Sequence, residues 1–176
     1  MQAILQHDVI FFDLDYTLID SSARYKACID ENRTLDVEKY RQTQTHEKIM
    51  RDTLTPLVRV YRQAQQKGKK LYCITARDMN ENDYHFLTKN GLLFQRIFSR
   101  DSIVKHKARD GVGDGLYKRQ ILKPLLNLQG FKTKSIAIID DNDSVLHHAN
   151  DIGITGYNSL KLLEKHFPQY KFKAGI

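Results

Sequence analysis

Three places in this 176-residue chain set polar residues directly behind a short apolar run. Val9-Ile10-Phe11-Phe12 leads into Asp13-Leu14-Asp15-Tyr16-Thr17, Leu71-Tyr72-Cys73-Ile74 into Thr75-Ala76-Arg77, and Ile136-Ala137-Ile138-Ile139 into Asp140-Asp141-Asn142-Asp143. Asp13 and Asp15 are two apart, so on an extended chain their carboxylates leave from the same side. One carboxylate can attack phosphorus, and a second can move the proton that a leaving group needs. Gathering them with Asp140 and Asp141 is costly unless a cation neutralises the charge, and an all-oxygen ligand set suits Mg²⁺. Each piece alone has an ordinary explanation: Asp-x-Asp as a turn or helix cap, Thr75 as a cap, Asp140 to Asp143 as a capped loop. Their joint occurrence, each at the end of a buried strand, favours chemistry.

To meet, those ends must belong to one sheet. Runs apolar on every residue suit strands covered on both faces, and strands alternating with helical patterns predict an α/β fold with a parallel sheet between helices. Ligands of such sheets bind beyond the carboxyl ends of the strands. The expected strands are residues 8–12, 71–74, 97–98, 135–139 and one near Ile154. The expected helices run from about Leu35 to Gln66, Asp83 to Asn90, Leu116 to Leu128, Ser144 to Asn150 and Ser159 to Phe167. Thr55-Pro56 reads as an N-cap and first helical residue, and Gly68 and Gly91 as helix ends.

At 20.5 kDa the chain suits a single domain over residues 1–176. With 41% hydrophobic and 28% charged residues, 9 Gly and 3 Pro, a disordered or fibrous chain is excluded. The apolar runs are far shorter than the ~20 residues of a membrane span. MQAILQHD has no secretory pattern, and Cys28 and Cys73 are too few for a disulfide framework, so a reducing cytoplasm is expected. A net charge of +7 admits an anionic partner, although solubility alone accounts for it equally well.

FFDLDYTL, LYCIT, Lys118 and IAIIDD together resemble the four motifs of the haloacid dehalogenase superfamily of phosphohydrolases. Within it, the chain is similar to the 3′-phosphatase domain of bacteriophage polynucleotide kinase. The shared features are Arg24 after the first motif, Thr-x-Arg at Thr75 and Arg77, Asp114 four residues before Lys118, and the double aspartate. Asn142 and Tyr16 depart from the pattern, where an arginine and, in most members, a glycine stand. No phosphate-binding kinase loop is present.

The resemblance implies a Rossmann-like core with a minimal helical cap and an aspartyl-phosphate mechanism. Asp13 would be the nucleophile and Asp15 the acid and then base. Thr75 and Lys118 would hold the phosphoryl group. Mg²⁺ would lie among Asp13, the Asp15 backbone carbonyl and Asp141, with Asp140 beside them and Asp114 positioning the lysine. Thr17, Arg24, Ala76 and Arg77 would contact substrate. The polar stretch Ser21 to Asp52 is long enough for a small lid at about 21–52, leaving an open site. With the basic residues Arg96, Arg100, Lys105, Lys107 and Arg109, this points first to a terminal phosphate of a polynucleotide, the 3′ end in particular, with a separate kinase or ligase acting at the same ends. The alternatives are a 5′(3′)-nucleotidase acting on small nucleotides and a non-catalytic receiver-like module. In a receiver-like module the acidic pair belongs on the first strand.

Overall fold

The computed structural model describes residues 1–31, 35–100 and 112–174. Its elements are, in order, β1 (Val9–Phe12), β2 (Ile19–Asp20), α1 (Ser22–Lys26), α2 (Val37–Arg41), α3 (His46–Met50), β3 (Thr53–Leu54), α4 (Val58–Gln66), β4 (Lys70–Ile74), α5 (Glu81–Lys89), β5 (Arg96–Phe98), α6 (Asp114–Leu125), β6 (Ile136–Asp140), α7 (Asp143–Asn150), β7 (Thr155–Asn158) and α8 (Ser159–His166).

Five strands form one parallel sheet in the order β5-β4-β1-β6-β7. β1 sits at its centre with every residue buried, which is why its sequence is apolar without alternation. Successive side chains still point to opposite faces. Ile10 and Phe12 join a cluster with Val58, Val60, Tyr61 and Ala64 of α4 and with Phe86 and Leu87 of α5. Val9 and Phe11 join Tyr117, Ile121 and Leu122 of α6 and Val145, Leu146 and Ala149 of α7 on the other face. The parallel α/β expectation holds, and Gly68 and Gly91 end their helices at φ 66° and 70°.

The stretch from Leu35 to Gln66 departs from the expected single helical pattern. Asp36 and Thr45 accept hydrogen bonds from Lys39 N and Lys48 N, and each starts a fresh five-residue helix. Thr53 and Leu54 instead pair antiparallel with Asp20 and Ile19. Thr55 Oγ1 accepts from Leu57 N as a cap should, but α4 begins at Val58, two residues beyond Pro56. Among the described residues, no helix is long and apolar enough to cross a membrane. Cys28 and Cys73 are free and buried.

Candidate functional site

β4, β1 and β6 are neighbours in the sheet, so the residues that end or follow them open onto one cleft of about 460 Å³. Asp13, Asp140 and Asp141 each offer it an oxygen, all within 4.8 Å of one another. Lys118 arrives from α6, one turn inside the helix, and its Nζ donates to Asp13 Oδ1 and to Asp140 Oδ2, both at 2.6 Å. It reaches them because α6 packs tightly on α7 at Gly115, where an added Cβ would fall 2.4 Å from Ser144 Oγ.

Burial raises the Asp13 carboxyl well above its ordinary value, and the Asp140 and Asp141 charges add to this against the pull of Lys118. Burial, followed by the Asp140 charge, pushes Asp141 up to about 7. Lys118 is held charged by Asp13 and Asp140 although burial opposes it. Asp140 uses Oδ2 for the lysine and Oδ1 for Asn142 N at 3.0 Å, which makes it the positioning member of the acidic pair. Asp13 and Asp141 then remain as the carboxylates most in need of a cation. Three clustered oxygens carrying more negative charge than one ammonium can balance fit a hard divalent ion such as Mg²⁺.

Asp15 stands apart from that trio. Arg77 Nε donates to its Oδ2 at 3.1 Å, and Arg77 Nη2 and Ser21 Oγ both donate to its Oδ1. Burial works to raise the Asp15 carboxyl, but Arg77 and Ser21 outweigh it and hold the group below its ordinary value. The carboxylate is therefore engaged by Arg77 and Ser21 rather than turned to the acidic trio. Arg77 is itself fixed by Asp83, whose Oδ1 accepts from Nη1 at 2.5 Å. Asp83 closes a capping box with Asn80, which starts α5 at Glu81, two residues before the expected helix start. Thr75 and Ala76 line the cleft as expected, and Thr75 Oγ1 accepts from Arg77 N at 3.2 Å.

Three expected contacts fall elsewhere. Arg24 turns from the cleft into a buried fork on Asp52, with Nε 3.0 Å from both carboxylate oxygens and Nη2 2.5 Å from Oδ2. Thr17 is fully buried beneath the loop after β1, where its carbonyl accepts from Thr55 Oγ1. Asp114 meets Arg100 Nη2 at 2.5 Å rather than Lys118, whose partners are Asp13 and Asp140. For Arg24 and Asp114 the charged group found a nearer opposite charge than spacing along the chain had indicated. Of the basic stretch, Arg100 also donates to Ala76 O and Val112 O, and Arg96 stacks on Phe98. Lys105, Lys107 and Arg109 lie outside the described residues.

One wall of the cleft has no local signature along the chain. Tyr16, Tyr25 and Tyr40 line it, although no spacing ties them together. Tyr25 meets Tyr16 and Tyr40 edge to face, with centroids 5.6 and 6.1 Å away. The backbone does not account for a tyrosine at position 16 in place of glycine. Its φ is 55°, the left-handed region that glycine enters freely and a tyrosine enters at a cost of order 1–3 kcal/mol.

A family model described as bacteriophage T5 5′-deoxynucleotidase matches residues 1–165. The 5′-deoxynucleotidase of Escherichia phage T5 is 36% identical over an alignment of 158 positions that covers 82% of this chain and 64% of that protein; the chain thus spans just under two thirds of its relative's length. A haloacid dehalogenase-like hydrolase from Streptococcus pneumoniae superposes with a TM-score of 0.60 at 18% identity, covering 94% of this chain and 92% of that one. A chain of the Pnkp1/Rnl/Hen1 RNA repair complex gives 0.55 at 20% identity, covering 87% of this chain and 42% of that one. The two structural matches show a haloacid dehalogenase-like fold.

Proposed function

Because the chain belongs to the bacteriophage T5 5′-deoxynucleotidase family and has a haloacid dehalogenase-like fold, we propose that it is a divalent-metal-dependent phosphatase of mononucleotides. The observation that carries this reading is the cleft itself. It joins a charged floor, Asp13 with Lys118 and Asp141, to an aromatic wall at a size suited to one small ligand. Tyr25, Leu35, Tyr40, Arg41 and Gln44 reach it from the 21–52 stretch, which acts as a small lid over one nucleotide.

Asp13 attacks phosphorus through one oxygen, and the bond to the nucleoside oxygen breaks as an aspartyl-phosphate forms. The leaving oxygen takes a proton from Asp15. Water then gives a proton to Asp15 and attacks the same phosphorus, returning Asp13 as a carboxylate and releasing phosphate. Arg77 holds Asp15 as the anion, the form needed in the second step. An arriving phosphate competes for Arg77, and loosening of that fork is what lets Asp15 carry a proton in the first step. Thr75 and Lys118 hold the phosphoryl oxygens. Asp13 and Asp141 would hold Mg²⁺, which when bound shields the phosphate from the carboxylate that must approach it.

The polynucleotide-end reading loses two of its supports here, since Arg24 is paired with Asp52 and Asp114 with Arg100. A panel tests the choice: phosphate release from 5′- and 3′-deoxynucleotides, 3′- and 5′-phosphorylated oligonucleotides and sugar phosphates, each with and without Mg²⁺. Preference for a mononucleotide with Mg²⁺ supports the proposal. Preference for an oligonucleotide end restores the polymer reading with the same chemistry.

A further inference from the structure

The tyrosine wall continues past the cleft. Phe172 packs edge-on against Tyr16 with centroids 5.3 Å apart, and Tyr170 against Phe172 at 5.2 Å, so five rings run in series as Tyr40, Tyr25, Tyr16, Phe172 and Tyr170. The first three face the cleft, and the last two come from the segment after α8, beyond the residues matched by the family model. That segment is tied down at the base of the lid by several bonds. Tyr170 Oη and Lys173 N donate to Asp20 Oδ2 at 3.2 and 2.9 Å, and Ala174 N donates to Ser22 Oγ at 3.1 Å. Lys26 Nζ donates to Ala174 O at 2.8 Å and Lys173 Nζ to Arg51 O at 2.7 Å. Asp20 is 2% exposed, and its Oδ1 also accepts from Ser22 N and Oγ, so two of the strap's bonds meet on one buried carboxylate.

Tyr16 gains nothing for its backbone from being a tyrosine, because φ 55° favours glycine. What the ring does is bridge Tyr25 and Phe172 while lining the same cleft as Asp13. Resting on the nucleotide reading above, we infer that Tyr16 contacts the base of the leaving nucleoside and that Phe172 is a positioning residue acting through Tyr16. Flat aromatic faces accept any base by stacking, so the expected recognition is of a base as such, with little preference among the four.

The test compares kcat/KM for a deoxynucleoside 5′-monophosphate with that for deoxyribose 5-phosphate, which lacks only the base, in the full-length protein. Wild type should prefer the nucleotide. Phe172→Ala should lower that ratio about tenfold, within what loss of base stacking gives, through KM rather than kcat. Phe172→Tyr should restore it. In a Tyr16→Gly background, where the ratio is already low, Phe172→Ala should change it no further, the non-additivity expected of residues acting through one contact. Phe172→Leu, which keeps most of the volume, replaces Phe172→Ala if that variant does not fold, with the same expectation in smaller degree. An unchanged ratio in the folded Phe172 variants, or additive losses in the double variant, overturns the inference and leaves the nucleotidase reading standing. A wild type that hydrolyses sugar phosphate as well as nucleotide overturns both.

Discussion

The carboxyls of Asp13 and Asp141 are raised because burial and their neighbours leave them too much negative charge. The metal-free folded protein thus keeps a proton on Asp141 up to about pH 7, whereas the unfolded chain releases it near 3.8. Where the folded state binds more protons, stability falls as pH rises, so the metal-free protein should lose stability across that interval. Saturating Mg²⁺ should flatten the decline; thermal unfolding from pH 4 to 8 with Mg²⁺ or chelator measures it, and matching curves would count against a cation among these oxygens. Arg24 makes a different prediction from the one its sequence position suggested. Arg24→Ala should leave Asp52 buried and uncompensated at a cost of about 3–5 kcal/mol in chemical denaturation. A raised KM with unchanged stability would instead return it to the substrate. Asp15→Asn should lower the rate by about 10²–10⁴-fold in steady-state phosphate release, as loss of a proton-transfer group does.

At the scale of elements, β1, β4 and β6 were legible because the buried parts of central parallel strands are apolar runs, and the polar residues at their ends stand out against that background. The lid was not. Its helices are five residues each, too short to hold themselves, and depend on caps such as Asp36 and Thr45 and on contacts across the cleft. The β2–β3 pair was missed because two residues per strand carry no period. α6 offers a direct test of how an element delivers a catalytic side chain. Gly115→Ala places a methyl group against Ser144 Oγ, His148 and the Ser144 carbonyl, so α6 must move off α7 and carry Lys118 with it. The expected result is about 1–3 kcal/mol of destabilisation and a fall in kcat larger than a matched surface substitution on α6 causes. Full activity would show that the helix approach does not set the lysine.

Across the whole molecule, one sheet separates two apolar clusters and leaves its carboxyl edge for chemistry. Phe11 stacks near Tyr72, Phe98 and Phe131 in the second cluster and does not line the cleft, and Phe11→Ala should cost about 3–5 kcal/mol without altering KM in the folded fraction. The proposed chemistry was read from the motifs at the strand ends because such chemistry constrains residue type and place. The substrate was harder to read, because the tyrosine wall is assembled from a loop, the lid and a distant strap that no local pattern connects. The account depends most on Asp13 as the atom donor to phosphorus. Acid-quenching a single turnover of a deoxynucleoside monophosphate with Mg²⁺ and mapping peptides by mass spectrometry tests this directly. The account predicts one phosphoryl group on the peptide carrying Asp13, lost in Asp13→Asn together with activity. Turnover that persists in Asp13→Asn, or a phosphoryl group found on another residue, would contradict it.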